Sequence, residues 1–227
     1  MTKRVVVFAP HPDDETFGCG GLIAKKIRDG YEVIIVEMTD GRNLFKSILN
    51  VETNPSPEDV KKIRKEEVLK ATQILGVPKK NIVFLDFKDG TLKEYEDEAV
   101  EKVAEILRRY SPVEVYFPYM HDCHLDHQAT NRIVRKTLHK LGMTPIKYQF
   151  SILHKHAIVG PLIDRILNLF RKNMIRLNVS DVICTKEKAI KEFKSEISIV
   201  SINQKKPLEK KVNRYLKNNE TFYIMTE

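Results

Sequence analysis

Val5-Val6-Val7-Phe8-Ala9-Pro10-His11-Pro12-Asp13-Asp14-Glu15 is the stretch on which the fold turns. Its apolar residues follow one another without a break, from Val5 to Ala9. A half-buried strand alternates apolar and polar residues, so this run reads as a strand covered on both faces, as in a parallel sheet. Pro10 and Pro12 then keep the backbone out of helix, and one imidazole and three carboxylates splay outward. They do so at the C-terminal end of the strand, where open α/β sheets bind ligands. Adjacent carboxylates repel unless a cation lies beside them, and a metal ion is the simplest such cation. The plain alternative is an acidic turn with an Asp capping the next helix.

Outward from this point the chain alternates strand and helix. A helix pattern runs from about Cys19 to Asp29 and stops at Gly30, and Val33 to Met38 is a second buried strand. Residues 42–56 show no strong period and read as a long loop of the kind that handles substrate. Ser56-Pro57-Glu58-Asp59 is a helix start, with Ser56 as cap and Pro57 at the first helical position, and this helix ends at Leu75-Gly76. Ile82 to Phe87 and Val113 to Phe117 are further strands; Tyr95 to Tyr110 and Gln128 to Leu141 are further helices. The β-α-β-α order predicts a Rossmann-like three-layer α/β sandwich, a mostly parallel sheet with helices on both faces. The part after about residue 147 is less regular. There Lys147 to Leu153, Arg176 to Ile183 and Phe222 to Met225 read as strands. Pro161 to Asn173, Lys186 to Ser195 and Pro207 to Lys217 read as helices. No linker or repeat divides the chain, so residues 1–227 are expected to form one domain.

Bulk properties narrow the function classes. The 227 residues are 42% hydrophobic and 31% charged, which suits a globular core and excludes disorder. The formal net charge of +8 favours anionic partners, or else reflects a Lys-rich solvated surface. No recognition helix or RNP-like motif accompanies it, so no specific nucleic-acid partner is expected. The three cysteines are widely spaced and form no Cys-x-x-Cys pair, which fits a reducing, cytoplasmic compartment. No stretch has the length of a signal peptide or a membrane span.

A second chemical tract, His121-Asp122-Cys123-His124-Leu125-Asp126-His127, follows the fourth predicted strand as the first tract follows the first. Together the two offer what a catalytic zinc needs, two histidines and a carboxylate with one position open for water. Ferrous iron uses the same donors, so Zn2+ and Fe2+ both remain open. The plain reading of the second tract is a polar loop with a helix cap.

With both tracts in view, the chain resembles the LmbE-like, or PIG-L-like, N-acetylglucosaminyl deacetylase family. The family's first motif is present in full at Pro10 to Glu15. Its H-P-D-H motif stands as His124-Leu125-Asp126-His127, with Leu in place of Pro. Gly20-Gly21, Thr39-Asp40-Gly41, Arg64-Lys65-Glu66-Glu67, Asp89-Gly90, Asp181, Lys186, Ser195 and Glu220-Thr221-Phe222 also fall where the family has such residues. Glu196 departs from the usual Gln after Ser195.

The resemblance implies a hydrolase that removes an N-acetyl group from an N-acetylglucosamine-type sugar or glycoconjugate. It assigns the metal to His11, Asp14 and His127, and makes Asp13 the general base toward a metal-activated water. His124 would stabilise the oxyanion in protonated form. Asp122 and Asp126 are candidates to contact substrate or to orient the imidazoles. Arg64 would hold a sugar hydroxyl or phosphate, or else make a helix-surface ion pair with neighbouring acids. Cys123 is read as a bystander, and His139, His154 and His156 as ordinary residues. The alternatives are an amidase on a larger N-acyl group and a non-catalytic glycan- or anion-binding module of the same fold. Residues 161–176 carry a basic amphipathic pattern, read as core packing, a homo-oligomer contact or a peripheral membrane contact.

Overall fold

A computed structural model describes residues 2–152, 173–208 and 212–225. Its seven strands are β1 (Arg4–Ala9), β2 (Glu32–Thr39), β3 (Ile82–Phe87), β4 (Glu114–Pro118), β5 (Ile146–Phe150), β6 (Met174–Asn178) and β7 (Asn219–Ile224). They form one sheet in the order β3-β2-β1-β4-β5-β7-β6. β1 pairs in parallel with β2 and β4, β2 with β3, and β4 with β5, whereas β7 runs antiparallel between β5 and β6. The expected mostly parallel α/β sheet is therefore present. Val5, Val6, Val7, Phe8 and Ala9 are all fully buried, as an unbroken apolar run on the central strand requires.

The helices lie on both faces. On one face α1 (Asp14–Arg28), α3 (Pro57–Ile74) and α6 (Ile183–Ile190) pack over Val5, Val7, Val33 and Ile35. On the other, α4 (Glu96–Tyr110) and α5 (Leu125–Leu141) cover Val6, Phe8, Ile34 and Val36. Gly21 is obligatory for the first layer. A Cβ there would lie 2.7 Å from Val179 and 2.9 Å from a Glu220 carboxylate oxygen. That carboxylate accepts the Gly21 and Leu22 N–H groups and pairs with buried Lys186 at 2.7 Å, tying β7 and α6 to the middle of α1.

Several elements differ from their sequence reading. α1 begins at Asp14, five residues before Cys19, because Asp14 and Glu15 form an acidic first turn that suits a helix N-terminus. The segment read as loop contains a short helix, α2 (Leu44–Leu49), since Leu44 and Phe45 find a small core with Val51 and Val60. Ser56 caps α3 in a full capping box with Asp59, as expected. The helix read over Lys186 to Ser195 is two, α6 and α7 (Lys194–Ile197). Between them the chain turns to bury Phe193 and to bond Ser195 to Glu67 on α3, at 2.7 Å through N–H and 2.6 Å through Oγ. Of the basic helix read over 207–217, the described residues contain only a 3-10 turn, Val212–Arg214. The amphipathic pattern of 161–176 lies mostly outside the described residues, and its last positions, Met174 and Arg176, belong to β6 instead. His154 and His156 also lie outside.

The order of strands fixes where a ligand can sit. From β1 the chain moves one way through β2 to β3, then returns to add β4 and β5 on the other side. Loops leaving the C-terminal ends of β1 and β4 therefore part in opposite directions and leave a crevice. The two chemical tracts of the sequence are these two loops.

Candidate metal and catalytic site

Three donor atoms meet at the crevice. His11 Nδ1 lies 3.1 Å from Asp14 Oδ2, His127 Nε2 lies 3.1 Å from the same oxygen, and the two nitrogens are 3.3 Å apart. Zinc binds N and O donors at about 2.0–2.2 Å, so neighbouring donors in a tetrahedral shell stand roughly 3.3–3.5 Å apart. The triangle is close to one face of such a shell, and the donor set fits a divalent metal. The outer nitrogen of each imidazole meets a carboxylate, His11 Nε2 at 3.2 Å from Asp126 Oδ2 and His127 Nδ1 at 3.2 Å from Asp122 Oδ2. Such partners set the tautomer and ring orientation of metal-binding histidines.

The electrostatics favour a cation at this point. Burial alone would lower the His11 and His127 pKa values, yet the surrounding carboxylates outweigh it. Asp126, Asp14 and Asp89 push His11 well above its ordinary value, and Asp14 and Asp122 bring His127 to about 9. Asp14 is held far below the usual carboxylate range despite its burial, by His127 and His11. Without a metal, protons on the imidazoles supply the positive charge that the acids demand.

Asp13 is brought to the same place but turned elsewhere. Its backbone sits at φ 143°, a conformation that L-residues rarely adopt. The turn is held by its N–H, which donates to Glu15 Oε2 at 3.0 Å, and by its carbonyl, which accepts from Thr16 and Phe17. Its Oδ2 lies 2.9 Å from Arg64 Nη2. Burial and then the Glu196 carboxylate raise the Asp13 pKa well above its ordinary value, with Arg64 opposing them. Arg64 is thus not a helix-surface ion pair. It is buried, donates to the Pro12 carbonyl, and bridges Asp13 to Glu196, 3.2 Å away.

His124 caps α5. Its Nδ1 accepts the Asp126 N–H at 3.3 Å, and its ring stands edge-on to His11 with centroids 4.5 Å apart. An imidazole that accepts at Nδ1 carries its proton on Nε2 and is neutral. Burial, with His11 and His127 close by, also lowers its pKa. In the metal-free protein His124 is therefore held neutral, with its proton on Nε2, where the sequence reading had it protonated.

Of the two roles expected for Asp122 and Asp126, the geometry supplies the orienting one, behind the imidazoles. Both are buried, and neither lines the cleft. Asp126 accepts the Gly90 and Leu92 N–H groups at 2.7 and 3.1 Å as well as facing His11, so it locks the β3–α4 loop to the site. Both Asp89 and Glu196 line the cleft, Asp89 Oδ1 at 3.4 Å from His11 Nε2. The sequence signals them only indirectly, Asp89 through the family-like Asp89-Gly90 pair and Glu196 as a departure after Ser195 that could alter substrate contacts. Cys123 opens on a neighbouring cavity rather than on the donor cluster, and His139 is exposed on α5. The cleft itself has a volume of about 410 Å³ and gains apolar walls from Phe17, Leu44, Ile152 and Tyr215. That is room for a small ligand such as a sugar ring.

Comparison with known proteins places this geometry. A family profile described as PIG-L, GlcNAc-PI de-N-acetylase, matches residues 6–138, which include both tracts. The probable N-acetyl-alpha-D-glucosaminyl L-malate deacetylase 2 of Bacillus cereus is 32% identical over 70% of this chain and 69% of its own length. The diacetylchitobiose deacetylase of Thermococcus kodakarensis is 28% identical over 86% of this chain and 70% of its own. Among solved structures, the N,N'-diacetylchitobiose deacetylase of Pyrococcus horikoshii superposes with TM-score 0.73 at 24% identity, over 98% of this chain and 84% of that one. GalB of Pseudomonas putida, a 4-carboxy-2-hydroxymuconate hydratase, has the same TM-score at 18% identity, over 100% and 99%. One architecture therefore carries more than one reaction, and the reaction must be argued from the site. By the profile across both tracts and the extent of the sequence match, the chain belongs to the PIG-L, or GlcNAc-PI de-N-acetylase, family.

Proposed function

We propose that the chain is a zinc-dependent N-deacetylase that hydrolyses the acetamide of an N-acetylglucosamine-type sugar or glycoconjugate. One observation carries the reading. A carboxylate that makes no part of the donor triangle, Asp13, stands immediately beside the one that does, Asp14. A site that only bound a metal or a glycan has no use for a second, strained and buried carboxylate there. Both relatives compared above are named as deacetylases, one of a glucosaminyl malate and one of diacetylchitobiose, which supports the same substrate class.

His11, Asp14 and His127 would hold the zinc. When bound, it supplies a Lewis acid that polarises the amide carbonyl and acidifies water. Asp13 takes the proton of the attacking water; with Oδ2 on Arg64, its Oδ1 is the accepting atom. Burial and the Glu196 carboxylate raise its pKa, so Asp13 holds a proton more readily than a free carboxylate does. His124 donates from Nε2 to the carbonyl oxygen as charge develops there. The proton on Asp13 then passes to the departing amine. Asp126 and Asp122 keep the two zinc-holding imidazoles in register. Phe17 and Tyr215, stacked with centroids 4.6 Å apart, form an apolar wall against which a sugar face can lie.

A cytoplasmic site of action is part of the proposal, on the ground of three widely spaced cysteines, Cys19, Cys123 and Cys184, with no Cys-x-x-Cys pair. No helix of the described residues is long and apolar enough to cross a membrane. The test is release of free amine from a panel of N-acetyl sugars and disaccharides after chelation and after zinc or ferrous iron is restored. Turnover by the metal-stripped protein equal to that of the zinc-loaded one would overturn the reading. Metal-restored turnover of longer N-acyl sugars in preference to N-acetyl ones would favour the broader amidase.

A further inference from the structure

The segment after Glu196 inverts the usual distribution of polarity. In residues 198–207 the apolar side chains face water: Ile202 is 83% exposed, Ile199 56% and Val200 40%. Two polar ones, Ser201 and Gln204, are buried instead. Single exposed aliphatics need no explanation, but three within four residues do. The loop is built to hold them out. Gln204 Oε1 accepts the Val200 and Ser201 N–H groups at 3.0 and 3.4 Å, and its Nε2 donates to the Ser198 carbonyl at 3.2 Å. Ser201 Oγ donates to the Asn54 carbonyl at 2.7 Å and accepts the Asn203 N–H at 3.2 Å. Buried polar groups that are satisfied in this way define one loop conformation, and that conformation points isoleucine outward.

The charge on the loop itself has one sign. Ile197 to Leu208 contains no acidic residue, whereas Lys205 and Lys206 are exposed on it and Lys194 is exposed on α7 just before it. On the segment that braces the loop, the nearby acid Glu52 is paired with Lys46 at 2.6 Å. The whole chain carries a net charge of +8. The position also matters. Glu196 and Leu208, the residues that bound the loop, both line the catalytic cleft, so the tip lies at its rim. Met120 and Leu125 are exposed on the loop that carries His124, at the same end of the sheet.

We propose that residues 198–207 are a docking tip that seats the mouth of the cleft on an anionic phospholipid bilayer. Ile199, Val200 and Ile202 enter the boundary between headgroups and acyl chains, while Lys194, Lys205 and Lys206 meet the lipid phosphates. A second copy of the chain is the poorer occupant. A two-fold contact through this tip would set Lys205 and Lys206 against their own copies, like charge against like. The docking does not depend on the deacetylase reading above.

The test is co-sedimentation of the full chain with vesicles of phosphatidylcholine alone and of phosphatidylcholine mixed with phosphatidylglycerol. Binding is expected to the mixed vesicles, to weaken with added salt, and to fall to the phosphatidylcholine background in Ile199→Asp/Ile202→Asp. Lys205→Glu/Lys206→Glu should lower it about tenfold or more, since each basic residue near an anionic surface contributes severalfold. The chain has no tryptophan, so Ile202→Trp provides a single reporter whose emission should shift to the blue on mixed vesicles. Absence of wild-type binding to mixed vesicles overturns the proposal, as does binding that survives the double Asp change. A dimer in light scattering that the double Asp change dissociates, without lipid binding, also overturns it and assigns the tip to self-association. Amine release from a soluble N-acetyl sugar, which the tip variants should retain, tests the deacetylase reading independently of the vesicles.

Discussion

Replacing Asp13 by Asn isolates the base from everything else the residue does. Asn has the same shape, and it is among the residues that best tolerate a positive φ, so the turn at φ 143° is kept. Its side-chain oxygen can still accept from Arg64, which retains Glu196 at 3.2 Å as a charged partner. What disappears is a group able to take a proton. General-base catalysis contributes roughly 10²–10⁴ in rate, about 3–5 kcal/mol of barrier at 1.36 kcal/mol per decade. The loss should fall on kcat, with KM changed by less than about threefold, because the removed interaction operates in the transition state. The His11, Asp14 and His127 triangle is untouched, so zinc should stay stoichiometric. Folding stability should change little, since the burial that raises the Asp13 pKa already disfavours its charge. The assays are steady-state amine release, metal analysis of the purified variant and thermal unfolding. A variant with stoichiometric zinc and kcat within tenfold of wild type would refute the assignment of Asp13.

The other predictions concern the groups around it. His124→Asn keeps a capping side chain on α5 but removes the Nε2 donor, so kcat should fall about 10²–10³-fold with metal content unchanged; a structural role alone would lower Tm and leave kcat near normal. In the metal-stripped protein His127 has a folded pKa of about 9, above its unfolded value near 6.5. A raised His pKa contributes stability that is complete below the unfolded value and lost as pH rises through the folded one. Tm of the stripped protein should therefore fall between about pH 6.5 and 9, and zinc should abolish most of that slope; parallel Tm–pH curves with and without zinc would argue against the charge pairing at His127. Gly21→Ala forces a Cβ to within 2.7 Å of Val179 and should destabilise by about 1–3 kcal/mol in denaturant unfolding. A neutral result there would mean that α1 and β7 are less tightly joined than the Glu220 bonds indicate.

Much of this protein is written locally. An unbroken apolar run can be satisfied only by burial on both faces, so Val5 to Ala9 announces a central parallel strand from its own composition. The Ser56-Pro57-Glu58-Asp59 cap is equally local, because a helix start needs only neighbours within three residues. The donor residues are legible for a different reason. Imidazoles and paired carboxylates are too costly to concentrate at strand ends without a use, and the chain resembles a family that puts them to one. Tertiary structure alone decided what each donor faces. Arg64 reads from sequence either as a substrate-holding residue or as a helix-surface ion pair; it is buried against Asp13, far before it in the chain, and Glu196, far after it. The neutral state of His124 depends on one N–H at the start of α5, and the orienting role of Asp126 on a loop after β3. The exposed isoleucines of residues 198–207 could not be told from core residues by pattern, since an aliphatic in a short irregular segment carries no period. Sequence order specifies which groups are present and how the backbone runs through them. Distances between groups far apart in the chain arise only when the sheet closes and brings the ends of β1, β3 and β4 to one crevice.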